Sequence, residues 1–135
     1  MNIQKYADND VIIAEGTYGT QTFQIKEGRV IICKETGGVS RIPIAVLTEG
    51  EVFGEMYLFD DIGFRSASVL AQGDVTLEVI PKEEMESYLS STPPIVRSMV
   101  KTLAARLAKT SQENSVLKYQ IRHPFKTFLN FIAGK

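Results

Sequence analysis

Several residue types that usually announce a chemistry are scarce in this chain. Of its 135 residues one is a cysteine, Cys33, one is a histidine, His123, and none is tryptophan. A lone thiol closes no internal disulfide and cannot by itself hold zinc or an iron–sulfur cluster, which fits a reduced, cytoplasmic setting. A single histidine leaves no pair for a His-based metal site. Positive charge is not in excess either. The 15 Lys and Arg against 16 Asp and Glu give a net charge of −1, so the chain lacks the field that draws proteins to nucleic acid or an anionic membrane. No apolar run approaches the ~20 residues of a membrane span, and Met1 to Asp10 lacks the basic-then-apolar order of a secretory leader. The expectation is a chain with no metal, no cofactor, no direct nucleic-acid partner and no membrane span.

What is present falls into two regimes. The length suits one domain with a single core, and composition places that domain at residues 1–92, with helix over 93–135. In the first regime Val11 to Ala14, the Phe23 and Ile25 pair, and Val30 to Cys33 read as separate short strands bounded by Gly16, Gly19 and Gly28. Strand structure is expected to begin at Val11, with little before it. Gly37-Gly38 reads as a hairpin turn, and Pro43 places the following strand, with Ile42, Ile44 and Val46 alternating, at a sheet edge. Ser66 to Ala71 and the alternating Val75, Leu77 and Val79 read as two more strands about a Gln72-Gly73-Asp74 turn. Short strands so evenly spaced predict an antiparallel β-roll, a jelly-roll-like barrel.

Pro81, followed by Glu83 and Glu84, opens a short helix carrying Met85 and Leu89. A long helix is predicted from Pro94 to about Arg122. Its Val100, Leu103, Leu107, Thr110, Asn114, Leu117 and Ile121 stand alternately three and four apart, the seam of a two-stranded coiled coil. The same stripe could cover the helix's own barrel. The polar centre at Thr110 and Asn114 favours a dimer, since buried polar groups fix coiled-coil register. His123-Pro124 should end the helix, and Phe125, Phe128, Leu129 and Ile132 form the apolar stripe of a short terminal helix.

The chemistry sits between the strands. Phe53-Gly54-Glu55, a short apolar segment from Met56 to Phe59, and Arg65-Ser66-Ala67 offer a carboxylate and a guanidinium at the two ends of one compact loop. Such a pair can hold a sugar hydroxyl and a phosphate at once. Gly54 lets backbone approach a ligand, the segment after it starts with unspent N–H groups, and Arg65 presents a planar fork suited to phosphate. Taken alone, Glu55 and Arg65 would be read as solvated charges.

The glycine-bounded strands, the Phe53-Gly54-Glu55 start, the Arg65-Ser66-Ala67 end and the long helix resemble the cyclic-nucleotide-binding domain over nearly the whole chain. Within that superfamily, Ala105-Arg106-Leu107 followed by Thr110-Ser111 looks most like the long dimer helix of the catabolite activator family. The resemblance implies a regulatory module that binds cyclic AMP, or less readily cyclic GMP, and repositions a dimer-forming helix. It implies that Glu55 and the Gly54 backbone accept the ribose 2′-hydroxyl. Arg65, Ser66 and the N–H of Met56 or its neighbour would hold the phosphate. Thr110 and Ser111 would reach the purine, one of them across the dimer, with Arg106 nearby and Ile32, Ile44 and Leu47 as the apolar base pocket. The preference for adenine comes from the resemblance alone, because hydroxyls can pair with either purine.

The chain also departs from the family pattern. Phe64 stands where a proline often precedes the arginine, and the sequence stops at Lys135, where activator relatives would begin a DNA-binding domain. The expectation is therefore a sensor without a DNA reader. Catalysis is not expected: Cys33 has no histidine near it in sequence, and a cupin-type site would gather several histidines inside the barrel. The competing reading is a ligand-free dimerisation module of the same fold.

Overall fold

A computed structural model describes residues 1–36, 40–60 and 62–117, with side chains for all of these except 36, 40, 59, 60 and 108–117. Strands β1 (Asn2–Tyr6), β2 (Val11–Ile13), β3 (Thr22–Thr36), β4 (Ser40–Leu47), β5 (Val52–Phe53) and β6 (Ser68–Ile80) form one sheet. The order is β1-β6-β3-β4, with β2 on β6 and β5 on β3, and every pairing is antiparallel. The mainly β, antiparallel class expected from the strand spacing is what forms.

The core lies along β3 and β6. Ile25 faces Leu77 across the ladder, and the two are 1% and 0% exposed. Val30, paired with Ala71 on β6 and with Leu47 on β4, is equally buried. Phe23 and Phe53 pair in register and stack their rings 5.0 Å apart, which ties the short β5 to the centre of the sheet.

Three expectations need correction. β1 precedes Val11, in a segment expected to carry little structure. Its residues are mostly exposed and it pairs backbone to backbone with β6, from Asn2↔Val79 to Tyr6↔Val75, so it has little apolar periodicity to show. The two short strands read at Phe23–Ile25 and Val30–Cys33 are one strand, β3. Likewise the strands read at Ser66–Ala71 and Val75–Val79 are one strand, β6, which begins at Ser68 and has no turn at Gln72-Gly73-Asp74. The turn residues mark irregular pairing. From Glu27↔Thr76 to Arg29↔Gln72 the ladder advances two residues on β3 and four on β6, and an added Cβ at Gly28 would lie 2.4 Å from the Asp74 carbonyl oxygen. Glycine here permits close backbone approach inside a distorted ladder.

Pro43 does lie on an edge strand: β4 ends the strand order, paired with β3. Its ladder with β3 closes at Thr36↔Ser40, and the expected Gly37-Gly38 turn lies outside the described residues. Helices are α1 (Tyr57–Asp60), α2 (Lys82–Ser91) and α3 (Pro94–Leu117). The Pro81 carbonyl accepts the Met85 N–H at 3.1 Å, so Pro81 stands just before α2 rather than at its first position. Pro94 opens α3, and the Pro93 carbonyl accepts the Val96 and Arg97 N–H groups at 2.9 and 3.2 Å. Met1–Ser91 form one compact unit, and a second begins at Thr92. Ile121, His123 and the stripe Phe125, Phe128, Leu129 and Ile132 lie outside the described residues.

Candidate functional site

The loop between β5 and β6 is built from its two ends. After Phe53 the chain turns at Gly54, whose φ of 81° belongs to the left-handed region; a Cβ there would lie 2.8 Å from the Gln21 carbonyl oxygen. The Glu55 carbonyl then accepts the Leu58 N–H at 3.0 Å, which closes the turn into α1. Helix α1 starts at Tyr57, one residue later than expected. Tyr57 anchors it: the ring is 3% exposed, and the hydroxyl accepts a bond at 3.3 Å from Thr22, itself fully buried.

The returning arm is paired with residues 16–19. The Gly19 N–H donates to the Gly63 carbonyl at 2.9 Å, the Arg65 N–H to Thr17 at 2.8 Å, and the Gly16 N–H to Arg65 at 2.8 Å. Between these bonds Tyr18 and Phe64 form a bridge, their exposed rings edge to face with centroids 5.4 Å apart. The Phe64 N–H has no part in those bonds.

The Arg65 guanidinium spans the loop. Nη1 donates to the Gly54 carbonyl at 3.0 Å and Nη2 to the Gln21 carbonyl at 2.9 Å. It thus staples the arm leading out of the loop to the arm leading in. Glu55, half-buried on the same turn, has its carboxyl pushed above the usual range by burial. Its backbone N–H and the Arg65 charge act in the opposite sense. A half-buried carboxylate that feels a guanidinium's charge can accept a hydroxyl and tolerate an anion nearby. Ser66 is exposed at the loop's end, and its carbonyl accepts a bond from the Lys34 ammonium. Met56 is 41% exposed.

The structure therefore brings Gly54, Glu55, Met56, Arg65 and Ser66 into one loop. Ile32, Ile44 and Leu47 lie elsewhere on the sheet, on β3 and β4, and are 8%, 7% and 5% exposed. Ile44 is the extra residue where the ladder steps from Ile32↔Ala45 to Cys33↔Pro43. Arg106 is exposed on α3, and Thr110 and Ser111 belong to the same helix, with side chains outside the described residues. Sequence reading missed Gln21, Thr22, Tyr57 and the 16–19 arm. The signal for that arm is the pair Gly16 and Gly19 around an exposed aromatic, which reads equally as an ordinary turn.

Among the described residues no group of three or more His, Cys, Asp or Glu could hold a metal ion. No helix there is long and apolar enough to cross a membrane. An open groove of about 520 Å³ lies between Gly28, Arg29, Thr48, Glu49 and Gln72 to Asp74, and takes in none of the site residues.

The profile of the family described as Cyclic nucleotide-binding domain matches residues 3–92. The chain is 29% identical over 115 residues to the cyclic AMP receptor protein of Thermus thermophilus, an alignment covering 85% of this chain and 53% of that protein. The chain thus spans about half the length of that curated relative. The crystal structure of the Thermus thermophilus catabolite activator protein superposes with a TM-score of 0.70 at 28% identity, over 86% of this chain and 54% of that one. The cAMP-bound form of the EAL enzyme Bd1971 gives 0.67 at 32% identity, over 96% of this chain and 33% of the enzyme. Taken with the Gly54-Glu55 turn and its Arg65 staple, the match over most of the β unit shows that the chain belongs to the cyclic nucleotide-binding domain family.

Proposed function

We propose that this chain is a regulatory module that binds cyclic AMP, and cyclic GMP less well, and does no chemistry of its own. The observation that carries the reading is the Arg65 guanidinium held on the carbonyls of Gln21 and of Gly54, the neighbour of the half-buried Glu55. A cyclic monophosphate has one negative charge and one free ribose hydroxyl. Arg65 and Ser66 take the charge, with the Met56 N–H or its neighbour, and Glu55 with the Gly54 backbone takes the 2′-hydroxyl.

The base falls to the second set. Ile32, Ile44 and Leu47 supply an apolar floor, and Arg106, Thr110 and Ser111 reach the purine from α3. Two chains meet along Val100, Leu103, Leu107, Thr110, Asn114, Leu117 and Ile121. In support, Leu103 of this seam is 46% exposed, and α3 also exposes Ile95 and Met99 at 68% and 56%, apolar surface of the kind that marks interaction faces. The relatives' names support a cyclic nucleotide, and cyclic AMP first: a cyclic AMP receptor protein, and an EAL enzyme in cAMP-bound and cGMP-bound forms. The nucleotide acts by differential affinity. Binding one helix position a hundredfold better than another shifts the balance by about 2.7 kcal/mol. The setting is cytoplasmic, and this module makes no direct contact with nucleic acid.

Calorimetric titration with cyclic AMP and cyclic GMP tests the reading. Micromolar or tighter binding of cyclic AMP, weaker for cyclic GMP, is expected. No heat with either, and a melting temperature unmoved at millimolar ligand, would leave a ligand-free dimerisation module.

A further inference from the structure

We infer that Lys34 is a positioning residue for the anion end of the loop, acting through Ser66 and held in place by Glu15. This rests on reading the loop as a cyclic-phosphate site. The Lys34 ammonium donates to the Ser66 carbonyl and lies 3.4 Å from Glu15 Oε1. Glu15 is fixed from two further sides: its N–H donates to Ser68 Oγ at 2.9 Å, and its carboxylate accepts the Glu35 N–H at 3.3 Å. Ser68, 3% exposed, donates in turn to Glu35 Oε1 at 3.1 Å, and Arg41 Nε meets the same oxygen at 3.0 Å. β3, β4, the start of β6 and residue 15 are thereby joined to one carbonyl of the loop.

Sheet pairing does not call for this network, since β3 and β6 already pair at Cys33↔Ser68. An ion pair whose side chains are 43% and 21% exposed contributes little to stability. Its consequence is geometric. The peptide after Ser66 is trans, so a carbonyl turned toward Lys34 sends the Ala67 N–H the opposite way. Lys34 thus sets the peptide that follows Arg65-Ser66, and with it the Ala67 N–H, without touching the ligand itself.

The experiment compares the parent chain with Lys34→Met, Lys34→Arg and Glu15→Gln, using calorimetric titration with cyclic AMP, unliganded melting, and the Ala67 amide resonance. Lys34→Met is expected to weaken binding about five- to tenfold and Lys34→Arg to restore it to within about twofold, the size of one ordinary hydrogen bond, since Lys34 acts indirectly. Glu15→Gln should give a smaller loss that does not add to that of Lys34→Met. The Ala67 amide should shift in unliganded Lys34→Met while the melting temperature moves by no more than about 2 °C, which separates positioning from general stability. Lys34→Met binding as tightly as a parent that binds, or a loss that Lys34→Arg fails to rescue, would overturn the inference. A parent that binds neither cyclic AMP nor cyclic GMP would instead overturn the reading of the loop, and this role with it.

Discussion

Replacing Arg65 by alanine separates the two tasks of its guanidinium, because the unliganded chain already uses it. Its bonds to the Gly54 and Gln21 carbonyls, at 3.0 and 2.9 Å, hold the loop's arms together. The group is half-buried and partly solvated, so each bond is taken at the value of an ordinary intramolecular hydrogen bond, about 1 kcal/mol, and the pair at about 2 kcal/mol. For a domain of this size that lowers the melting temperature by roughly 6–8 °C. Binding loses more. Leaving a phosphate charge without its cation costs about 2–5 kcal/mol, a loss of about thirtyfold to a few thousandfold in affinity. Arg65→Lys keeps the charge without the fork and should recover part of the affinity and little of the melting temperature. Calorimetric titration with cyclic AMP, alongside thermal melting of each unliganded variant, reads both effects. Arg65→Ala binding within about threefold of the parent would refute the assignment of the phosphate to Arg65. Unchanged melting would refute the staple.

Further variants test other parts of the account. Gly54→Ala should melt lower and bind more weakly, because a side chain at φ 81° is strained by about 1–2 kcal/mol and its Cβ, 3.2 Å from Arg65 Nη1, would crowd the guanidinium. Glu55→Gln should raise unliganded stability at neutral pH while weakening binding. A carboxyl whose folded pKa is raised is least favourable when ionised, so the penalty is present above that raised value. It disappears as pH falls toward the ordinary carboxyl range, and the melting difference between variant and parent should shrink over that interval. Leu77→Ala, at a site 0% exposed, should cost about 2–5 kcal/mol of stability by denaturant unfolding. Leu103→Asp, on an exposed apolar position of α3, should turn a dimer into a monomer in sedimentation experiments.

The parts of the fold that were legible in the sequence are those whose apolar pattern faces the core. Val75, Leu77 and Val79 alternate in the chain and in burial alike. β1 was not legible because the sheet holds it through its backbone, and few of its side chains are buried. The two over-divided strands, β3 and β6, show the same limit from the other side. Gly28 and Gly73 carry turn chemistry, yet ladder bonds on both flanks carry the strands through, and local propensity gives way to tertiary pairing. At the candidate site, Gly54, Glu55, Arg65 and Ser66 stand out in the sequence by residue type and order, and the structure places them in one loop. The bonds of Arg65 do not stand out, since Gly54 and Gln21 contribute carbonyl oxygens that every residue has. Lys34 and Glu15 stand 19 residues apart and meet only because β3 and the 14–21 segment run beside the loop's end.

The most direct test of the central claim follows backbone amides and the Arg65 guanidinium nitrogens by NMR while cyclic AMP is added. The account predicts that Gly54, Glu55, Arg65, Ser66 and the Arg65 Nε–H move together along one saturation curve, because a single ligand meets both ends of one loop. Saturable binding that leaves these signals in place, and moves those around the Gly28 and Gly73 groove instead, would contradict it.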